Sequence, residues 1–185
     1  MATGKPSYEH GGGIFPLLGL TVAGVLDNAA RRWPDGEALV VIGQRVRWTW
    51  RELRERARAL AAGLLELGLA PGDRVGMLAP NRAEWLAVQF GTAYAGLILV
   101  NINPAYRARE LEYALNKVGC RALITETRFK TSDYVAMLDG LAPELAAAEP
   151  GELDAARFPE LRWVIALGNE DHPGMLRYDD VVVPS

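Results

Sequence analysis

Few residues in this chain combine a reactive side chain with a setting that would use it. Of its 20 basic residues only Lys5, Lys117 and Lys130 are lysines, so a phosphate-binding or catalytic lysine has three possible places. None of them closes a phosphate loop. The glycines at 11–13 lack the preceding strand and the following Lys-Ser/Thr that let backbone N–H groups cradle a phosphate. They read instead as a flexible leading segment, residues 1–15. No G-x-G-x-x-G follows an expected strand, which leaves out the dinucleotide fingerprint. His10 and His172 are the only histidines. The run Glu170-Asp171-His172-Pro173-Gly174 offers metal-ligating types, but adjacent residues rarely converge on one ion and Pro-Gly marks a turn. Ser7, Ser132 and Ser185 stand in no nucleophile motif. Asp179-Asp180 is read as a helix cap in preference to a Mg²⁺ site. Arg51, Arg54 and Arg58 line one side of a helix, but Glu52 and Glu55 interleave with them and the net charge is −3. A solvated helix face accounts for them better than a nucleic-acid surface. On these grounds no catalytic, cofactor-binding or metal-ligating residue is assigned.

The surrounding pattern is that of a soluble globular protein: 185 residues, 50% apolar and 23% charged, long enough for a buried core. Cys120 is the single cysteine, which excludes an internal disulfide and suits a reducing compartment. The N-terminus lacks a signal-peptide pattern. The longest apolar run, from Gly91 to Val100, is about half of the roughly 20 residues a membrane span needs. A cytoplasmic location is therefore expected.

Thr21 predicts a capped helix running to Trp33, stopped by Pro34-Asp35-Gly36. Ala38–Ile42 and Arg45–Trp50 predict a β-hairpin joined by a two-residue turn at Gly43-Gln44, with Val46, Trp48 and Trp50 on one face. Thr49 and Glu52 form a capping box. The stripe Leu53, Ala57, Leu60, Leu64, Leu67 then predicts a long helix ending at Gly68, with Arg51–Glu55 and Glu52–Arg56 as i,i+4 ion pairs. Strands are expected at Arg74–Leu78, Leu97–Asn101, Ala122–Thr125 and Leu161–Leu167. Between them lie a helix capped by Asn81, a helix over Arg107–Val118 with Leu111, Ala114, Leu115 and Val118 inward, and a helix capped by Ser132 or Asp133. The Ala- and Glu-rich stretch from Leu141 to Phe158 reads as a surface excursion. This alternation implies an α/β fold, a mostly parallel sheet flanked by helices behind an N-terminal hairpin.

In that order the segments become recognisable. Thr49-Trp50-Arg51-Glu52-Leu53, then Gly68-Leu69-Ala70-Pro71-Gly72-Asp73-Arg74-Val75, Pro80-Asn81 and Trp85 resemble consecutive stretches of the adenylate-forming (AMP-binding) enzyme family. Asn101-Ile102-Asn103-Pro104-Ala105-Tyr106 is similar to its next strand and turn. Glu110-Leu111-Glu112-Tyr113-Ala114-Leu115, Lys117-Val118-Gly119-Cys120, Phe129-Lys130-Thr131 and Pro150-Gly151 look most like the medium-chain branch of the AMP-forming acyl-CoA synthetases. The resemblance covers nearly everything from Pro16 to Val183 and rests on the ordered series more than on any one piece.

The resemblance implies that residues 16–185 are the N-terminal subdomain of a fatty-acid–CoA ligase. Such an enzyme joins a carboxylate to ATP as an acyl-adenylate and passes the acyl group to CoA, with Mg²⁺. The family's phosphate loop, its Thr-Glu pair for adenine and Mg²⁺, its ribose-binding Asp and its C-terminal lysine have no counterparts here. Thr125-Glu126 lies at an early strand end, and the adenine role is not carried onto it. The chain alone is thus expected to be inactive and to bind ATP, Mg²⁺ or CoA poorly, its partners being the remaining subdomains. The alternative is a self-standing binding or assembly module that kept the fold.

Overall fold

The computed structural model describes residues 18–182. Helix α1 (Val22–Arg32) starts where the Thr21 hydroxyl accepts the Gly24 N–H at 3.0 Å, and it buries Leu26 and Ala30. The hairpin follows as β1 (Glu37–Val41) and β2 (Val46–Thr49). The expected two-residue turn does not form. Val41 pairs with Val46, a 3-10 turn fills Ile42–Gln44, and Arg45 takes the left-handed conformation at φ 54°. Helix α2 (Trp50–Glu66) takes Trp50 out of the strand.

At the start of α2 the capping box is present: Glu52 N–H donates to Thr49 Oγ1 at 3.2 Å, and Thr49 N–H to Glu52 Oε2 at 2.7 Å. Those bonds hold the Glu52 carboxyl below its ordinary range. The predicted i,i+4 ion pairs are not made. Arg51 reaches Asp35 at 2.9 Å, and Arg56 lies over the Trp48 ring at 4.6 Å, a partner richer in contact area than an exposed carboxylate. Thr49→Ala is expected to cost about 1 kcal/mol, a fall in melting temperature of roughly 2–4 °C. Because the folded-state pKa of Glu52 is depressed, its share of that stability is present above the unfolded value and lost as pH falls through the folded one. Thermal melts at neutral and acidic pH should therefore show a smaller gap in acid.

Beyond α2 come β3 (Arg74–Leu78), α3 (Ala83–Tyr94), β4 (Ile98–Ile102), α4 (Ala108–Val118) and β5 (Cys120–Thr125). A small hairpin, β6 (Arg128–Phe129) and β7 (Ser132–Asp133), leads into α5 (Tyr134–Leu141). Then follow β8 (Trp163–Ala166), β9 (Leu176–Arg177) and α6 (Tyr178–Val181). Five strands form one parallel sheet in the order β4-β3-β5-β8-β9. Val75, Met77, Ala122, Ile124 and Ile165 pack on one face against Leu60 and Leu64 of α2, Val88 of α3 and Tyr178 and Val181 of α6. Leu78, Ile102, Leu123 and Val164 pack on the other against Leu111 and Leu115 of α4 and Tyr134 and Leu138 of α5. The hairpin and α1 close a third cluster over α2 and α3.

Four further expectations are corrected. Asn81 does not cap α3, whose first turn is capped from the hairpin: Ala83 N–H donates to Gln44 Oε1 at 2.6 Å. That reach accounts for the wider hairpin loop. Val118 is exposed because α4 ends there, at Gly119 in the left-handed conformation. Asp180 is no cap but a two-point partner of Arg177, at 2.7 and 2.8 Å. The stretch from Leu141 to Phe158 is no surface excursion: Leu141, Leu145, Leu153, Ala155 and Phe158 are buried and complete the core below α4 and α5. Between the two expected caps of α5, Asp133 is used, accepting the Ala136 N–H at 2.9 Å. The expected segment 1–15 lies outside the described residues. Among the described residues no helix is long and apolar enough to cross a membrane.

Candidate functional site at the carboxyl ends of the strands

After β3 the chain leaves by α3 on one face of the sheet, and after β5 it leaves by α5 on the other. Adjacent strands whose connections part in this way leave a crevice at their carboxyl ends, where open parallel sheets bind ligands. Here that place lies between Leu78-Ala79 and Thr125-Glu126. The ladder is prolonged past the strands by Glu126 N–H donating to Leu78 O at 2.9 Å and Leu167 N–H to Thr125 O at 2.8 Å.

Arg82 occupies this corner. Its Nε and Nη2 donate to the two Glu84 carboxylate oxygens at 2.7 and 3.0 Å, and its Nη1 donates to Glu126. Glu84 also accepts from the Gln44 amide at 3.1 Å. Thr127 N–H donates to Glu126 Oε1 at 3.0 Å. The three charged side chains are 14%, 22% and 19% exposed, enough burial for each to need its partners. Burial pushes the Glu84 carboxyl up, but hydrogen bonds from Arg82 and Gln44 outweigh it and hold it below the ordinary range. Burial likewise opposes the Arg82 charge, and the two carboxylates more than restore it.

A cleft of about 640 Å³ opens beside this cluster over β5 and β8, lined also by Arg128, Asp133, Asp139, Glu170 and His172. Arg128 is paired with Asp133 at 2.6 Å. The Nε2 of His172 is buried without a hydrogen-bond partner, yet among the described residues no group of His, Cys, Asp and Glu could hold a metal ion. A second groove, about 650 Å³, lies over β3 and β4 between Trp85, Pro80, Asn81, Asn103, Pro104 and Phe129.

Thr125-Glu126 ends β5, as expected, and Glu126 serves Arg82. Ser132 accepts from Arg107 at 2.8 Å, a structural bond. Lys130 sits at the β6–β7 tip over the Phe129 ring, 5.2 Å from its centre. Cys120 is buried, which pushes its thiol up to about 11 and leaves it unreactive at neutral pH. Sequence reasoning does not single out the Arg82–Glu84–Gln44 group. Its one sequence signal is a charged residue directly after Pro80-Asn81 at a strand end; Glu84 is only two residues on, but Gln44 and Glu126 join it from 39 to 44 residues away.

This arrangement is suited to holding elements together. A triphosphate needs free cations and open backbone N–H groups. The cleft supplies Glu126, Asp133, Asp139 and Glu170 against Arg82 and Arg128, both already paired. These side chains by themselves do not supply the free cations that a triphosphate needs.

Residues 26–180 match the AMP-binding enzyme family. Over 182 residues, 98% of this chain and 29% of the relative, the sequence is 46% identical to the mitochondrial medium-chain acyl-CoA ligase ACSF2 of Bos taurus. The acetoacetyl-CoA synthetase of Streptomyces lividans superposes with a TM-score of 0.73 at 28% identity, over 88% of this chain and 25% of that one. The N-terminal domain of FACL13 from Mycobacterium tuberculosis does so with a TM-score of 0.61 at 28% identity, over 66% of this chain and 30% of that one. The chain therefore spans about three-tenths of the length of the curated relatives it matches. A match running from Leu26 in α1 to Asp180 in α6, on the sheet that these ligases share, means that the chain belongs to the AMP-binding enzyme family and has the fold of its N-terminal subdomain.

Proposed function

We propose that residues 16–185 form the scaffold portion of a fatty-acid–CoA ligase, nearest the medium-chain branch, and that this portion is inactive by itself. The observation that carries the reading is the 46% identity to a medium-chain acyl-CoA ligase along 98% of the chain. The enzyme as a whole would join a carboxylate to ATP, release pyrophosphate, and transfer the acyl group from the adenylate to the CoA thiol. The chain's own contribution is a rigid platform: its parallel sheet fixes the corner at Arg82 and Glu126, and the hairpin is locked to it through Gln44. The phosphate-neutralising cations, the Mg²⁺ site and the CoA site belong on this reading to the remaining subdomains, the chain's partners. On this reading the enzyme is cytoplasmic, and a single, buried thiol suits such a reducing compartment; the mitochondrial designation belongs to the ACSF2 relatives.

The test has two arms. Exchanging the corresponding segment of a medium-chain acyl-CoA ligase for this chain should preserve carboxylate-dependent pyrophosphate release. A folded, inactive chimera would favour the self-standing module. The chain alone should show no rise in melting temperature with MgATP. A ligand at a hundred times its Kd would add about 2.7 kcal/mol, roughly 5–10 °C for a domain of this size, so a rise of that order would reveal a nucleotide site.

A further inference from the structure

At the edge of the sheet, β4 has β3 on one side and no strand on the other among the described residues. Its five residues, Ile98-Leu99-Val100-Asn101-Ile102, contain no lysine, proline or bulge, the usual devices that keep an edge from pairing. Ile98 N–H is turned inward, donating to Asp73 O at 2.9 Å. By the alternation of an extended strand, Leu99 and Asn101 turn their N–H and C=O groups outward. Beside this edge a groove of about 500 Å³ runs between β4 and α4, lined by Val100, Ile102, Tyr106, Tyr113, Ala114 and Val118. Ile98 is 51% exposed and Tyr113 is 67% exposed, so apolar surface continues from the strand onto the helix. Apolar surface of this kind beside an open edge marks an interaction site.

We propose that this face is the interface of a two-fold dimer of the chain, in which β4 pairs antiparallel with β4 of a second copy. The order of residues selects that occupant. About Val100 the strand is a near-palindrome of β-branched residues, Ile-x-Val-x-Ile, on the face toward α4. A two-fold axis through Val100 sets Ile98 against the other copy's Ile102 and Val100 against its twin, aliphatic pairs that favour antiparallel ladders. The same axis sets Leu99 opposite Asn101, and these are the residues whose backbone groups point outward. The seam is then closed by four N–H···O bonds with none left over. Arg109, Glu110 and Lys117 line the groove, so it presents both signs of charge to its own copy. Tyr106 and Tyr113, apolar in body and polar at the tip, suit such a partly wet seam. An isologous contact of this kind closes at two copies and yields one continuous sheet.

Sedimentation of the chain should give twice its 20.2 kDa mass. Val100→Cys should cross-link covalently under mild oxidation, because directly opposed residues of a non-hydrogen-bonded antiparallel pair lie about 4.5 Å apart at Cα, within disulfide reach. Cys120, the only native thiol, is buried and should not compete. Asn101→Pro removes an outward N–H and spares the ladder to β3, and should raise the dimer dissociation constant roughly tenfold or more. Asn101→Lys should act in the same direction without altering the backbone, with circular dichroism unchanged in both. A monomer at all concentrations would overturn the proposal. So would a mass above two chains, or a dimer that neither cross-links through Val100→Cys nor responds to the Asn101 variants.

Discussion

Gly63→Ala is expected to lift α6 off α2 and to lower the melting temperature by roughly 10 °C. A Cβ at Gly63 would stand 1.6 Å from the carbonyl oxygen of Val181 and 2.8 Å from its carbonyl carbon. Both obstacles are backbone, so no side chain can rotate away, and the added methyl must displace one element. The long helix is anchored through Leu53, Ala57, Leu60 and Leu64, all at 0% exposure, whereas α6 is a single turn held mainly by Tyr178 and Val181. The turn therefore yields. Its release exposes two side chains worth about 1.5–3 kcal/mol each, a total of about 3–6 kcal/mol, which caps the damage and sets the size of the thermal shift. Two signatures separate release of α6 from general weakening. Amide exchange should accelerate over residues 176–182 with little change in α2. The Tyr178 phenol, which burial pushes above its ordinary range, should titrate closer to a free tyrosine. Gly140→Ala is the control: nothing lies within 4 Å of where its methyl would stand on α5, and alanine in a helix is favoured over glycine by about 0.5–1 kcal/mol. A Gly63→Ala variant that melts like Gly140→Ala would contradict the close approach.

Elements governed by their own neighbours are legible in the sequence. The capping box at Thr49 and Glu52 involves residues three apart, and the α2 stripe repeats with the helix period, so both are found where expected. The parallel strands are legible as short apolar runs between helices, and such alternation leads to a crevice at the carboxyl ends whatever side chains line it. Side chains that act across the fold are not legible. Gly43-Gln44 suits a two-residue turn, yet the Gln44 amide caps α3 from 39 residues away. The 141–158 stretch misleads for a related reason. It is built from 3-10 and irregular turns, so Leu145, Leu153 and Phe158 enter the core singly, without a period to betray them. Its Gly151 shows the same coupling: a Cβ there would strike the Trp163 ring at 2.3 Å, a contact set by a strand twelve residues on. Arg51 and Arg56 each have a glutamate one turn away, and both find partners outside the helix instead.

The second large effect is expected at Arg82, because one guanidinium serves two carboxylates that are each about one-fifth exposed. Arg82→Met keeps much of the side-chain volume and removes the charge, leaving Glu84 and Glu126 facing each other without a cation. Removing one partner of a buried pair costs about 3–5 kcal/mol, and partial exposure places this case near the lower end, so a melting temperature lower by roughly 6–12 °C is expected at neutral pH. Arg82→Lys should fall between the two, since an ammonium cannot fork to Glu84 while reaching Glu126. The pH dependence follows from the sign of the Glu84 shift. Its folded-state pKa is depressed, so its stabilising contribution is present above the unfolded value and lost as pH falls through the folded one. In Arg82→Met the shift reverses, because the unpaired carboxylates favour protonation and acid relieves their repulsion. The gap between the two proteins should therefore narrow as the pH is lowered through the carboxylate range. Glu126→Gln placed on top of Arg82→Met should recover part of the loss, since it removes one of the two stranded charges while the neutral amide still accepts the Thr127 N–H. If the gap stays constant from neutral to acid, or the double variant is no more stable than Arg82→Met, then Arg82 acts through packing alone and the charge network does not hold this corner of the sheet.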